Sequence, residues 1–342
     1  MMRGRDRSER RAFLWLVVLC AVPWLGAAFA SLFWGAVDIP PGRVLSILAG
    51  GGQGARSYIV YHERLPRVVM ALLAGGSLAV AGAVFQALLN NPLATPHTLG
   101  VSAGGSLGAI IAISFPLPLL SIGPATSVQF FAMAGGMVNM GVIYLLASRS
   151  RHLSTFKLLL AGVTLGFISS AMIMFVRYLS DPHKLVMVDR WLMGGLDVQG
   201  YRSLAAVLPF AVPALAVLLS EANALNQLSF GEELAAGRGV DVGLLQKEVF
   251  LAGSILTASV VSVAGPIGFV GLIVPHAFRM VVGPNHRYLL VGSFFGGGIL
   301  LVLADSFART IFAPSELPVG ILTAMMGGPF FLFLLTRPAS RG

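Results

Sequence analysis

The stretch that decides the fold runs Arg64-Leu-Pro-Arg67, then the uncharged run Val68 to Leu89, then Asn91-Pro-Leu-Ala94. A pair of cations, a membrane-length apolar run and a proline-broken polar turn, in that order, mark one membrane crossing with a special feature at each end. About 20 residues rising about 1.5 Å each suffice to cross a hydrocarbon core of about 30 Å. Gly75, Gly76 and Gly82 would weaken a helix in water, but in a membrane they let neighbouring helices approach closely. The run reads as a packed transmembrane helix.

The rest of the 342 residues has the same character: 56% are hydrophobic and only 11% charged, against about 25% charged in soluble domains. Of the 14 acidic residues, Asp305 alone sits inside a long apolar run. The single cysteine, Cys20, excludes an internal disulfide and leaves the compartment unread. A net charge of +9 would suggest nucleic acid in a soluble chain. Here it follows from topology, because arginines collect at membrane ends.

Apolar runs predict an all-α polytopic membrane protein with about ten crossings: 12–34, 65–89, 97–115, 125–147, 156–179, 201–219, 249–266, 268–282, 288–307 and 319–335. The third and eighth are marginal in length. The chain reads as one transmembrane domain over 1–342, with a tail at 1–11 and a polar loop at 220–247. Arg10-Arg11, an apolar stretch and Ala28-Phe29-Ala30 also resemble a cleavable secretory signal. The apolar stretch runs on through Leu32, Phe33 and Trp34, so a retained first helix is the expectation.

An even number of crossings places both termini on one side. With the N-terminus inside, 14 of the 23 Lys and Arg residues face the cytoplasm and nine face outward, which supports that orientation. So many outward arginines call for an acidic partner on that face. A shared interval, Ala81-Gly82 to Pro92 and Ala264-Gly265 to Pro275, hints at an internal repeat of the kind transporters use.

No enzyme-like constellation is present. The six histidines, at 62, 97, 152, 183, 276 and 286, include no i,i+4 pair, so no metal or haem site is expected and no cofactor. Without Gly-Lys-Ser/Thr, the chain lacks the usual phosphate-binding loop and does not itself hydrolyse ATP. A secondary transporter would need intramembrane acidic carriers, and Asp305, with Arg309 beside it, is the one interior candidate.

Taken in order, Arg64-Leu-Pro-Arg67, Asn91-Pro-Leu-Ala94, Leu99-Gly-Val-Ser-Ala-Gly104, His152-Leu-Ser-Thr155 leading into Leu158-Leu-Leu-Ala-Gly162, Trp191-Leu-Met-Gly-Gly195, Gly265-Pro-Ile-Gly-Phe-Val-Gly-Leu-Ile-Val-Pro-His276 and Glu316-Leu-Pro-Val-Gly320 resemble one family. It is the permease of type II ABC importers for iron chelates, haem and cobalamin. Each match is weak alone, but the ordered set covers nearly the whole chain and is specific. The resemblance implies a homodimeric permease of ten helices per subunit in a bacterial inner membrane. It also implies a cytoplasmic ATPase pair and a periplasmic substrate-binding protein. The lipid bilayer is the remaining partner, and no nucleic acid is expected.

Residue by residue, the resemblance makes Arg64, Arg67 and Arg309 cations that engage acidic residues of the binding protein, since a guanidinium fork suits carboxylates. Read without it, Arg64 and Arg67 are interface anchors, and Arg309 pairs with Asp305 one turn away. Asn91 and Leu93, with Ser154 and Thr155, resemble two cytoplasmic gates; read locally, Asn91-Pro92 is a turn and Ser154 a helix cap. The segment Gly231, Glu232, Glu233, Leu234, Ala235, Arg238 and Gly239 resembles the short helix that couples to the ATPase, with its acids at the helix start and Gly237 and Gly239 as stops. Arg177 and Tyr178 end a crossing near the outer mouth, where a cation would favour an anionic substrate; otherwise Arg177 is an interface anchor.

Overall fold

A computed structural model describes residues 2–115, 123–147, 155–198, 200–313 and 315–336, without side chains for 2–10, 155 and 334–336. Ten helices carry the apolar runs: α1 Met2–Ser31, α2 Leu65–Leu88, α3 Val101–Ser114, α4 Ser127–Ala147, α5 Thr155–Leu179, α6 Arg202–Ser220, α7 Val242–Ala264, α8 Val270–Val282, α9 His286–Thr310 and α10 Val319–Thr336. Short helices Pro182–Met193, Ala222–Leu228 and Glu232–Gly237 lie in the connections. Seven of the ten are long and apolar enough to span a bilayer unaided, and α3, α8 and α10 are the shorter apolar ones.

α2 is the hub. It packs against α9, α7, α8 and α6, and its crossings are made by backbone contact. A methyl group on Gly75 would lie 2.1 Å from Gly297 O of α9, and one on Gly82 would lie 1.9 Å from Gly271 O of α8. Lipid tails are as apolar as leucine, so helices in a membrane associate through such close packing rather than through expulsion of water. A second unit joins α3, α4 and α5, and α7 ties it to α2. α1 continues through Ala28-Phe29-Ala30 and lies along α9, where Ser306 Oγ donates to Ser31 Oγ at 2.9 Å.

Three boundaries differ from expectation, the first at α1, which is helical from Met2 rather than from residue 12. α7 starts at Val242 rather than Val249, because Asp241 accepts from Leu244 N at 3.0 Å and caps a helix that begins in the polar loop. α3 starts at Val101 rather than His97. Thr95 and Thr98 close a turn on each other, and Gly100 is left-handed at φ 77°.

Candidate functional site

The two ends of α2 carry the two halves of the site. At its first turn, Arg64 is only 4% exposed, and its guanidinium donates to Leu32 O at 2.7 Å and to Val37 O. Gly35 makes room, since a methyl group there would come within 3.0 Å of Arg64 Nη2. Arg64 therefore locks the α1–α2 connector from a buried position, a place different from that of the exposed interface anchor its local reading suggested. Arg67 meets Asp305 with Nε and Nη2 at 2.9–3.1 Å and donates Nη1 to Glu316 Oε2 at 2.6 Å. Arg309 pairs with Asp305 Oδ2 at 3.0 Å, the one-turn contact read from spacing, and also donates to Ser31 Oγ at 3.0 Å.

Asp305, 1% exposed, thus serves two arginines from α2 and α9. Buried charges persist only when paired, and removing one member of such a group costs about 3–5 kcal/mol. Beside the cluster a cavity of about 360 Å³ opens, lined by Glu63, Arg64, Arg67, Arg190, Arg309 and Glu316 among others. The arginines were legible in sequence. The partners of Arg67, 238 and 249 residues away, were not.

Three quoted motifs meet nearby. Gly195 N donates to Ala264 O at 2.9 Å and Gly320 N to Gly194 O at 3.0 Å. The end of the Pro182–Met193 helix is thereby bonded to the end of α7 and the start of α10. A methyl group on Gly320 would lie 2.1 Å from Met193 O, so only glycine permits this approach. Across the same helix Arg177 pairs with Asp189, both more than a third exposed, while Tyr178 is 87% exposed.

At the far end of α2 the chain turns on itself. Asn90 is left-handed at φ 44°, Asn91 N donates to Gln86 O at 3.0 Å, and Leu93 N donates to Asn91 Oδ1 at 2.9 Å. Asn91 is thus occupied in its own turn. Leu93, 42% exposed, borders an apolar groove of about 560 Å³ together with His97, Met193, Phe269, Leu272 and Ile321. Ser154 lies outside the described residues, and so does the side chain of Thr155, which opens α5.

The segment from Gly231 folds as expected into a short helix, Glu232–Gly237, with both glutamates in its first turn. Gly231 and Gly239 are left-handed at φ 107° and 87°. Arg238 donates to Gln227 Oε1 at 2.6 Å and stacks over the Phe230 ring at 5.3 Å, while Gln246 Nε2 donates to Glu232 Oε1 at 2.8 Å. Phe230 and Leu234 are 62% and 57% exposed. Ala235 is fully buried against the rest of the chain, so it supports the helix from behind and belongs to no outer contact surface. At the loop's entry, burial and then the neighbouring Glu248 hold the Glu221 carboxyl above its ordinary range.

Sequence reasoning missed a polar chain behind this segment. Asn226 Nδ2 donates to Asn285 Oδ1 at 3.0 Å and Asn226 Oδ1 accepts from His286 N at 2.7 Å. In α8, Arg279 Nη2 donates to Gln86 Oε1 at 3.1 Å, while Gln86 Nε2 donates to Gly271 O at 3.1 Å. The available signal was Gln86, a lone amide inside the apolar run of α2. Among the described residues no cluster of His, Cys, Asp or Glu has metal-binding geometry.

The profile of the FecCD transport family matches residues 23–337. The chain is 35% identical to the iron(3+)-hydroxamate import system permease protein FhuG of Bacillus subtilis, over 90% of this chain and 93% of that protein. It is 40% identical to the hemin transport system permease protein HmuU of Yersinia pestis, over 82% and 84% of the two chains. It is 38% identical to the vitamin B12 import system permease protein BtuC of Salmonella typhi, over 99% and 100%. Among solved structures, a metal-chelate type ABC transporter in an inward-facing conformation superposes with a TM-score of 0.80 at 30% identity, covering 95% of this chain and all of the other.

Proposed function

The chain belongs to the FecCD transport family, and on that premise we propose that it is the permease of an ATP-driven importer carrying an iron chelate, siderophore or haem, from periplasm to cytoplasm. It is a non-catalytic subunit. One observation carries the reading: a single buried helix, α2, joins an ion-paired arginine cluster at one end to a proline-broken turn on an open groove at the other. A docking event at the first end and a gate at the second are thereby mounted on one rigid element. Movement of the partners in two states then shifts the population between outward-open and inward-open forms.

In this reading a periplasmic binding protein docks over Arg67, with Arg64 and Arg309 holding the site from behind. Leu93 and Asn91 form one gate, and Ser154 and Thr155 the other. The Glu232–Gly237 helix meets a cytoplasmic ATPase pair through Phe230, Glu233 and Leu234. A second copy covers the exposed apolar face of α5, and both termini lie in the cytoplasm. Support for the topology comes from the lysine and arginine distribution and from the exposed polar short helix at the end opposite Arg67.

A cobalamin-type substrate is the second reading, favoured by the full-length match to a vitamin B12 permease. The test is uptake into proteoliposomes holding the permease, its ATPase and its binding protein, offered ferric hydroxamate, haem and cobalamin in turn. Uptake of one of the first two, dependent on ATP and on the binding protein, is expected. Uptake of cobalamin alone favours the second reading, and uptake driven by a proton or sodium gradient without the ATPase overturns both.

A further inference from the structure

Arg67 is held by two carboxylates of unequal standing. Asp305 is 1% exposed, accepts from both Nε and Nη2, and is itself tied to Arg309. Glu316 is 27% exposed, accepts from Nη1 alone, and stands on the short connector between α9 and α10 at the edge of the 360 Å³ cavity. The connector does not depend on that ion pair. Ser315 N donates to Phe312 O at 2.9 Å and Leu317 N to Ala308 O at 3.1 Å, one on each side of the acid. The Glu316 side chain can therefore swing away while its backbone stays.

We propose that Glu316 is an internal stand-in for a partner's carboxylate: an acidic residue of the docking protein displaces it from Arg67 Nη1, and Asp305 keeps the guanidinium in place throughout. The inference rests on the docking reading given above and adds the exchange to it. Each charge-assisted bond lost at Nη1 is replaced by one of the same kind, and the released Glu316 carboxylate is hydrated at the open cavity. Glu316 then acts as a competitor that weakens docking and keeps Nη1 of Arg67 from standing without an acceptor when no partner is bound. Its sign is opposite to that of an ordinary stabilising acid. Its removal tightens the complex.

The experiment uses the permease with its ATPase in nanodiscs and its cognate substrate-binding protein, immobilised, at low salt. Glu316→Gln is expected to tighten docking about fivefold, the upper end for a solvent-reachable ion pair. Arg67→Gln should weaken it by tenfold or more. Asp38→Asn removes one negative charge from the exposed connector after α1, and serves to measure the general field; it should change docking less than twofold. If Glu316→Gln matches Asp38→Asn, or docks more weakly than wild type, the exchange is wrong. If Arg67→Gln docks like wild type, the docking reading itself fails whatever Glu316 does.

Discussion

α2 and α5 have the same mean hydropathy, 2.2 over their most apolar windows, yet 89% of one window is buried and 17% of the other. The difference lies in side-chain size. α2 puts Gly75, Gly76 and Gly82 against its neighbours, so other backbones close in on it from several sides. α5 buries Leu158, Ser169 and Val176 on one face and turns Phe156, Phe167 and Met174 outward, each more than 70% exposed. Hydropathy decides that a helix crosses the membrane; the smallness of its residues decides how many helices it crosses with. The permanent frame is α2, and α5 offers its surface to something outside this chain.

The largest expected effect tests that division by adding one methyl group to each helix. In Gly82→Ala the new carbon meets Gly271 O at 1.9 Å, and backbone cannot yield as a side-chain tip can. Overpacking of this kind typically costs about 1–3 kcal/mol and more where backbone must move. Folded, monodisperse permease in detergent should be lost. Gly166→Ala in α5 has nothing within 4 Å and should purify like wild type. Equal yields from the two variants would break the comparison.

Much of this frame was legible before the fold was seen. Ten runs of apolar residues become ten helices, and the glycines of α2 already implied close approach. Hydropathy and residue size are local properties, so they can be read from a window. Partnership cannot. Nothing near Arg67 announces Asp305 or Glu316, because the meeting of helix ends depends on how all the intervening crossings pack. Nor could periodicity over six residues tell that Ala235 faces inward and Leu234 outward. The glycines of Trp191–Gly195 and Glu316–Gly320 were visible as motifs, but their mutual hydrogen bond appears only when α10 is placed beside the Pro182–Met193 helix.

The charged ends sharpen the contrast. Asp305→Asn leaves Arg67 and Arg309 buried with half their compensation gone, which should lower stability by about 3–5 kcal/mol. A thermal-shift scan in detergent should show the drop, together with loss of docking, and a melting temperature like wild type would mean that the cluster is wetter than its 1% exposure suggests.

Next in size is the outward face of α5. Phe167→Ala with Met174→Ala should leave monomer yield and thermal stability near wild type, because both side chains are more than 70% exposed within this chain. If a second copy covers that face, light scattering should show about tenfold weaker dimerisation, the scale expected when large side chains are trimmed from an interface. Unaltered self-association would assign the face to lipid instead.

The smallest expected effect concerns the charged end of α5. Arg177 and Asp189 form the counterpart of the Arg67–Asp305 pair, but at 36% and 41% exposure they remain in contact with water. Water has already screened their attraction, so Asp189→Asn should cost no more than about 1 kcal/mol, and less at high salt. The variant has a second use. It frees Arg177 next to Tyr178, 87% exposed at the same helix end. If the mouth selects anionic chelates, the half-saturating concentration of a carboxylate-bearing substrate should fall about two- to threefold with the maximal rate unchanged, since an exposed unpaired cation adds attraction before the transport step. A neutral chelate should show no shift. A fall in melting temperature as large as that of Asp305→Asn would mean that the two ends of the comparison are built alike, and that exposure is no guide to which ion pairs hold this permease together.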